Sequence, residues 1–147
     1  MVRKTIEVKE HESLLVASST LFTFAGFYGY CNGMWPYGLL SLVTTIVSIN
    51  YWSDTRSQLK RNCDVVVAKG SFVIYFISGI MYVHDQSLLI VGISILLGII
   101  YHYDMSFVMH HRGESSWVKY HAGFHLCVAL EQYLVLYAGI QKGYKFS

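Results

Sequence analysis

Five apolar segments, separated by short polar connections, constrain the fold of this chain more than any other feature of its sequence. They cover residues 14–30, 37–52, 65–83, 88–103 and 120–140. A helix needs about 17 to 25 predominantly apolar residues to cross the hydrocarbon layer of a bilayer. The segments approach or reach that length and leave no room for a soluble domain. We therefore predict an all-α fold: a single transmembrane domain, 1–147, built as a polytopic bundle of about five membrane helices.

The overall composition agrees with an integral membrane protein and argues against other classes. Hydrophobic residues make up 54% of the chain and charged residues only 14%. The net charge of +2 is small and scattered among the connections, so we expect no nucleic-acid partner. Cys31, Cys63 and Cys127 are odd in number and fall in or near different segments, so the sequence predicts no disulfide framework.

Lysine and arginine are distributed unevenly between the connections, and this asymmetry predicts an orientation. They cluster in the N-terminal tail, in the second connection and in the fourth, whereas the first and third connections contain none. Basic residues are enriched in cytoplasmic loops. We expect the N-terminus on the cytoplasmic or equivalent inner side and the C-terminus opposite. The residues behind this prediction are Arg3, Lys4, Lys9, Arg56, Lys60, Arg61, Arg112 and Lys119, against Lys142 and Lys145.

Polar residues inside the segments gather at the inner face once this orientation is assumed. Ser48 lies near the inner end of the second segment, Asp64 at the inner start of the third, and His102 at the inner end of the fourth. Lys69 lies about a turn and a half deeper in the third segment. Ionisable groups within a bilayer usually face the bundle interior, a partner or water. The sequence therefore predicts a shared polar chamber at one face, while Gly26, Gly29, Gly79 and Gly98 suit close helix contacts.

The last segment contains the polar residues most suggestive of a site. His121 and His125 are four residues apart, so a helix places both imidazoles on one face, where they can share a metal ion or serve as interfacial, hydrogen-bonded groups. Glu131 and Gln132 fall in the middle of the span. Gln132 shares the face of the histidines and Glu131 lies on another, where it can be a neutral hydrogen-bonded acid or pair with Lys69.

Three short stretches together resemble the superfamily of alkaline ceramidases, progestin and adiponectin receptor-like proteins and hemolysin III-like proteins. In that group an S-x-x-x-H pattern ends the second span, an aspartate follows in the third, and H-x-x-x-H lies in the last. Here "SINYW" supplies Ser48, "RNCD" supplies Asp64, and "YHAGFHL" supplies His121 and His125.

The resemblance implies a zinc-dependent hydrolase of an amide in a lipid. His121 and His125 would bind the zinc, while Asp64 and Ser48, as catalytic residues, would hold and activate a zinc-bound water. Two departures from the family pattern argue against a functional zinc site. Trp52 occupies the position of the third histidine, and an indole cannot ligate zinc. The family also has seven spans, whereas this sequence predicts about five.

Two functions therefore remain open at the level of the sequence. One is a zinc-dependent, ceramidase-like membrane hydrolase, with Asp64 or His102 completing the metal site. The other, which we favour, is a structural or interaction protein without catalytic activity, a degenerate relative of such enzymes that sits in the lipid bilayer and contacts other membrane subunits. A proton path through Glu131, Lys69 and the inner histidines is a third, weaker hypothesis.

Overall fold

A computed structural model describes residues 12–146, and within this range the chain folds into five helices without any β-strand. They are α1 (Glu12–Cys31), α2 (Trp35–Trp52), α3 (Gln58–Tyr82), α4 (Gln86–His111) and α5 (Trp117–Gln141). A turn at residues 20–21 interrupts α1 ahead of its longer second part, Phe22–Cys31. The prediction of an all-α bundle of about five helices is confirmed.

Four of the helices are long and apolar enough to cross a membrane. They are α1, α3, α4 and α5, which agrees with a polytopic integral membrane protein. The helix α2 differs from them, because its 18 residues include a row of small hydroxyl side chains that the bundle buries, at Ser41, Thr44, Thr45 and Ser48. The basic residues Arg3, Lys4 and Lys9, used above to predict orientation, lie outside the described residues.

The helices α3 and α4 extend well beyond the apolar segments predicted for them. The helix α3 begins at residue 58 rather than 65, where Ser57 caps it by accepting a hydrogen bond from the Lys60 backbone N–H at 3.4 Å. The helix α4 ends at residue 111 rather than 103. Hydropathy detects only the part of a helix that suits hydrocarbon. It therefore did not predict the polar turns at the start of α3 and at the end of α4.

The helices form a closed four-membered ring with one helix outside it. The helix α1 packs on α2, α2 on α3, α3 on α5, and α5 back on α1. The helix α4 packs along α5, and only 6% of its most apolar 18-residue stretch is buried within the bundle. Because α3 and α4 do not pack along one another, the bundle has a lateral gap between them with α5 as its floor.

The contact between α1 and α2 depends on glycine. A Cβ atom added at Gly38 would lie 2.5 Å from the Tyr30 backbone nitrogen and 2.6 Å from the Gly26 backbone oxygen. Small residues allow this close backbone approach between membrane helices. The predicted contact role of Gly26, Gly29, Gly79 and Gly98 is confirmed, since each faces a neighbouring helix, whereas the role of Gly38 was missed.

The C-terminal tail closes the end of the bundle opposite the histidines. The Phe146 backbone N–H donates a hydrogen bond of 2.8 Å to the Gly33 carbonyl in the connection between α1 and α2. Gly33 has a φ of +84°, a conformation that favours glycine, and a Cβ there would press against the Lys145 side chain. The tail is thus fixed to the first connection of the chain.

A candidate site: the polar cavity and its histidine pair

A cavity of about 610 Å³ opens at the end of the bundle where α1, α3 and α5 begin and where α2 and α4 end. We call it the polar cavity; its lining includes Trp52, Arg61, Asp64, His110 and His121. All five helices contribute to it because their alternating directions bring these ends to one side. Asp64, a predicted catalytic residue, and His121, a predicted metal ligand, therefore line one cavity, whereas Ser48 and His125 are buried and are not part of its lining.

The lining combines opposite charges with aromatic rings. Arg61 and Asp64 come from the first turns of α3, and Glu12, whose Oε1 accepts a hydrogen bond of 3.1 Å from Thr55 Oγ1, comes from α1. Tyr51, Tyr103 and Trp117 supply rings in addition to Trp52. Beside the cavity, Lys60 Nζ lies 3.2 Å from Asp54 Oδ2 on the surface, and this hydrogen bond lowers the pKa of the Asp54 carboxyl.

The two histidines of α5 lie side by side, with His121 in the cavity lining and His125 buried beyond it. Their ring centroids are 4.9 Å apart, and His125 is only 3% exposed. Hydrogen bonds to serines orient both rings: His125 Nδ1 lies 2.8 Å from Ser18 Oγ and His121 Nδ1 lies 3.2 Å from Ser106 Oγ. Since these bonds use the Nδ1 atoms, any metal coordination would have to use Nε2.

Trp52 covers the histidine pair at the position where the resemblance requires a third ligand. Its ring centroid lies 5.0 Å from that of His121 and 6.5 Å from that of His125, with the planes steeply inclined in both pairs. The side chain is 7% exposed, and its buried Nε1 has no hydrogen-bond partner among the described residues. The indole therefore fills the space beside the imidazoles with a group that cannot bind a metal.

Ser48 and Asp64 lie close to each other, as the resemblance implies. The Ser48 side chain is buried within interaction range of the half-buried Asp64 carboxyl group. On its other side, Ser48 Oγ lies 3.1 Å from Ser19 Oγ of α1. The structure thus assembles a hydroxyl and a carboxyl group near the cavity, where they can position a polar ligand.

The donor set of the described residues does not fit a resident zinc ion. Within residues 12–146, no three His, Cys, Asp or Glu side chains are arranged to hold a metal ion. Two imidazoles alone make an incomplete site, since structural and catalytic zinc sites use at least three protein ligands. His102, considered above as a substitute ligand, packs instead over Gly123, where an added Cβ would lie 2.6 Å from its Nδ1.

Lys69 is not a wall of the polar cavity. It is exposed on the surface of α3, and no ion pair joins it to Glu131 in the part of the chain that the structure describes. Gln132 is instead held in the bundle interior, at 1% exposure. Its Oε1 accepts a hydrogen bond of 2.9 Å from Ser41 Oγ, and its Nε2 donates one of 3.4 Å to Ser71 Oγ.

Glu131 faces a second, smaller space. This mid-span cavity, of about 220 Å³, lies in the gap between α3 and α4, with Phe76, Gly79, Gly92 and Leu134 among its lining residues. Glu131 is 7% exposed, and its Oε2 atom is buried without a hydrogen-bond partner among the described residues. Glu131 therefore lines the mid-span cavity, whereas Gln132, the next residue, lies in the bundle interior.

Sequence reasoning missed the serines that orient the histidines and the arginine that lines the cavity. Ser18 and Ser19 follow one another in an apolar segment, and paired hydroxyls at membrane depth are a signal of helix-to-helix hydrogen bonding. Hydropathy places Arg61 in the connection before the third apolar segment. Its placement on an extended α3 brings its side chain to the cavity.

Comparison with known proteins adds no relative to this description: no protein-family model, no curated protein and no solved structure matches the chain.

Proposed function

We propose that this chain is a non-catalytic integral membrane protein, an interaction component of the membrane that binds the zwitterionic headgroup of a phospholipid in its polar cavity. The observation that carries this proposal is the combination of Arg61, Asp64 and several aromatic rings around one cavity at an end of the bundle. From the distribution of lysine and arginine, we place this end at the cytoplasmic or equivalent inner face.

The lining supplies a partner for each half of such a headgroup. A guanidinium group such as that of Arg61 forms strong, charge-assisted hydrogen bonds with phosphate oxygens. Aromatic faces and a carboxyl group attract a quaternary or primary ammonium, and Tyr51, Trp52 and Asp64 provide both.

The arrangement of the histidines supports binding rather than hydrolysis. Both imidazoles are held by serines, and Trp52 lies against them where a third ligand would be needed. Without that ligand the site lacks the means to activate a water molecule by zinc. The shared positions of Ser48, Asp64, His121 and His125 support the further proposal that the chain descends from such hydrolases and has lost their metal.

Substituting Arg61 with glutamine tests the headgroup proposal. We expect R61Q to bind phosphatidylcholine about tenfold more weakly, because a hydrogen bond to a charged group contributes about 1.5 to 3 kcal/mol. Native mass spectrometry of the purified protein, titrated with phosphatidylcholine, measures the bound fraction. R56Q is the matched control, because Arg56 is exposed and does not line the cavity. Equal binding by R61Q, R56Q and the unaltered protein would contradict the proposal.

Substituting Trp52 with histidine tests the loss of the metal. The Nδ1 atoms of His121 and His125 are already held by serines, so a third imidazole at position 52 would complete three nitrogen ligands. We expect W52H to purify with about one zinc per chain by elemental analysis, and the unaltered protein to purify with almost none.

The control for this measurement is W35H, since Trp35 is half exposed at the opposite end of the bundle. Folded W52H without zinc would refute the proposed ancestry and leave headgroup binding untouched. Stoichiometric zinc in the unaltered protein would instead refute the non-catalytic assignment.

A further inference from the structure

Glu131 presents a carboxyl group to the lateral gap of the bundle without a partner for one of its oxygens. The side chain lines the mid-span cavity between α3 and α4, which is otherwise apolar, and its Oε2 atom is buried with no hydrogen-bond partner among residues 12–146. A carboxyl group within a membrane span pairs with a cation or a hydrogen-bond donor in most proteins. The cavity volume of about 220 Å³ suits one long side chain.

Lys69 presents the complementary group on the same side of the protein. It is exposed on α3, within a helix apolar enough to cross a membrane, and has no ion-pair partner in the described part of the chain. Lys69 lies four residues after Val65, which lines the polar cavity, and seven before Phe76, which lines the mid-span cavity. The 3.6-residue period therefore places it on the stripe of α3 that borders the lateral gap.

The two groups also lie at similar depths in the bundle. Gln132 Nε2 donates its hydrogen bond to Ser71 Oγ at 3.4 Å, so this part of α5 is level with residue 71 of α3. Lys69 precedes Ser71 by two residues, a rise of about 3 Å along the helix. The flexible four-carbon stem of lysine can span such an offset.

We infer that a second copy of this chain covers the lateral gap, with Lys69 of each copy reaching the end of the other's mid-span cavity where Glu131 lies and pairing with it. A two-fold axis along the membrane normal keeps each residue at the same depth in both copies. A contact of Lys69 in one copy with Glu131 in the other is therefore repeated with the roles of the copies exchanged. The pairing gives a partner to the exposed ammonium of Lys69 and to the buried carboxyl group of Glu131 in both copies. This inference is independent of headgroup binding.

Charge reversal distinguishes this pairing from every arrangement within one chain. In K69E both positions carry carboxylates, and in E131K both carry ammonium groups, so each variant should repel its own copies. When the two variants are mixed, every contact between unlike copies becomes an opposite-charge pair. We expect the mixture to associate while neither variant associates alone.

The measurement is energy transfer between donor-labelled and acceptor-labelled protein in phosphatidylcholine vesicles, at several protein-to-lipid ratios. The unaltered protein and the mixture should show transfer, and K119Q, which alters an exposed lysine at the start of α5, should match the unaltered protein. A monomeric unaltered protein, or a mixture that shows no more transfer than either variant alone, would overturn the inference.

Two neutral variants provide a test that does not depend on the folding of K69E and E131K. K69Q and E131Q leave no repulsive charge within a chain, and circular dichroism checks that the helical content is retained. Each should weaken association about tenfold relative to the unaltered protein. Folded K69Q and E131Q that associate as strongly as the unaltered protein would also overturn the inference.

Discussion

Replacing Gly38 with valine is expected to destabilise the protein by about 3 kcal/mol, the upper part of the usual cost of overpacking. The Cβ atom would lie 2.5 Å from the Tyr30 backbone nitrogen and 2.6 Å from the Gly26 backbone oxygen. Backbone atoms within a helix cannot move aside as the end of a flexible side chain can. The helices α1 and α2 would therefore have to separate, and the ring of four helices would open at that contact.

Thermal unfolding in a mild detergent, followed by circular dichroism, measures this loss of stability. Gly70→Val is the matched control, because Gly70 also lies within a helix and a Cβ atom there meets no neighbouring atom within 4 Å. We expect the control to unfold close to the unaltered protein. If both glycine variants unfold at the same temperature, the close contact between α1 and α2 is not what stabilises the bundle.

Replacing Gln132 with alanine should have the second largest effect, a loss of about 2 to 3 kcal/mol. The Gln132 amide joins three helices, since it accepts a hydrogen bond from Ser41 of α2 and donates one to Ser71 of α3. Its removal leaves polar groups in the bundle interior without this partner and creates a cavity beside them. Ser41 also lies 2.7 Å from the Tyr75 hydroxyl, so the disturbance should extend along this network.

The same unfolding experiment with Gln141→Ala provides the comparison, since Gln141 is exposed at the end of α5. A loss of stability confined to Gln132→Ala supports a structural role for the network. If Gln132→Ala and Gln141→Ala unfold at the same temperature, the buried Gln132 amide contributes no more to stability than the exposed Gln141 amide.

The helices were predictable from the sequence because the hydrocarbon layer sets their length, and the alternation of apolar and polar segments reports it directly. Their ends were less predictable. The helix α3 begins at residue 58 because Ser57 caps it, and α4 begins after Asp85, whose carboxyl accepts hydrogen bonds from two backbone N–H groups. These caps lie in polar sequence, where hydropathy carries no information about helix continuation.

The polar residues of α5 show what periodicity can and cannot predict. Helical geometry separates Glu131 from Gln132 by about 100° around the axis, and they face the mid-span cavity and the bundle interior, respectively. The partners could not be predicted in the same way. Ser18 is remote from His125 in sequence and meets it only because α1 packs on α5, and that choice of neighbours depends on the whole bundle.

The outlying position of α4 has a consequence for how the chain enters its membrane. Within the described residues, the most apolar 18-residue stretch of α4 has a mean hydropathy of 1.8, the highest among the four helices that can span a membrane, and only α5 packs extensively against α4. The corresponding stretch of α5 has a mean hydropathy of 1.3, and buried polar side chains of α5 form hydrogen bonds with α1, α2 and α3. We therefore expect α4 to be stable in lipid on its own during synthesis, and α5 to require α1, α2 and α3 already in the membrane to bury its polar side chains.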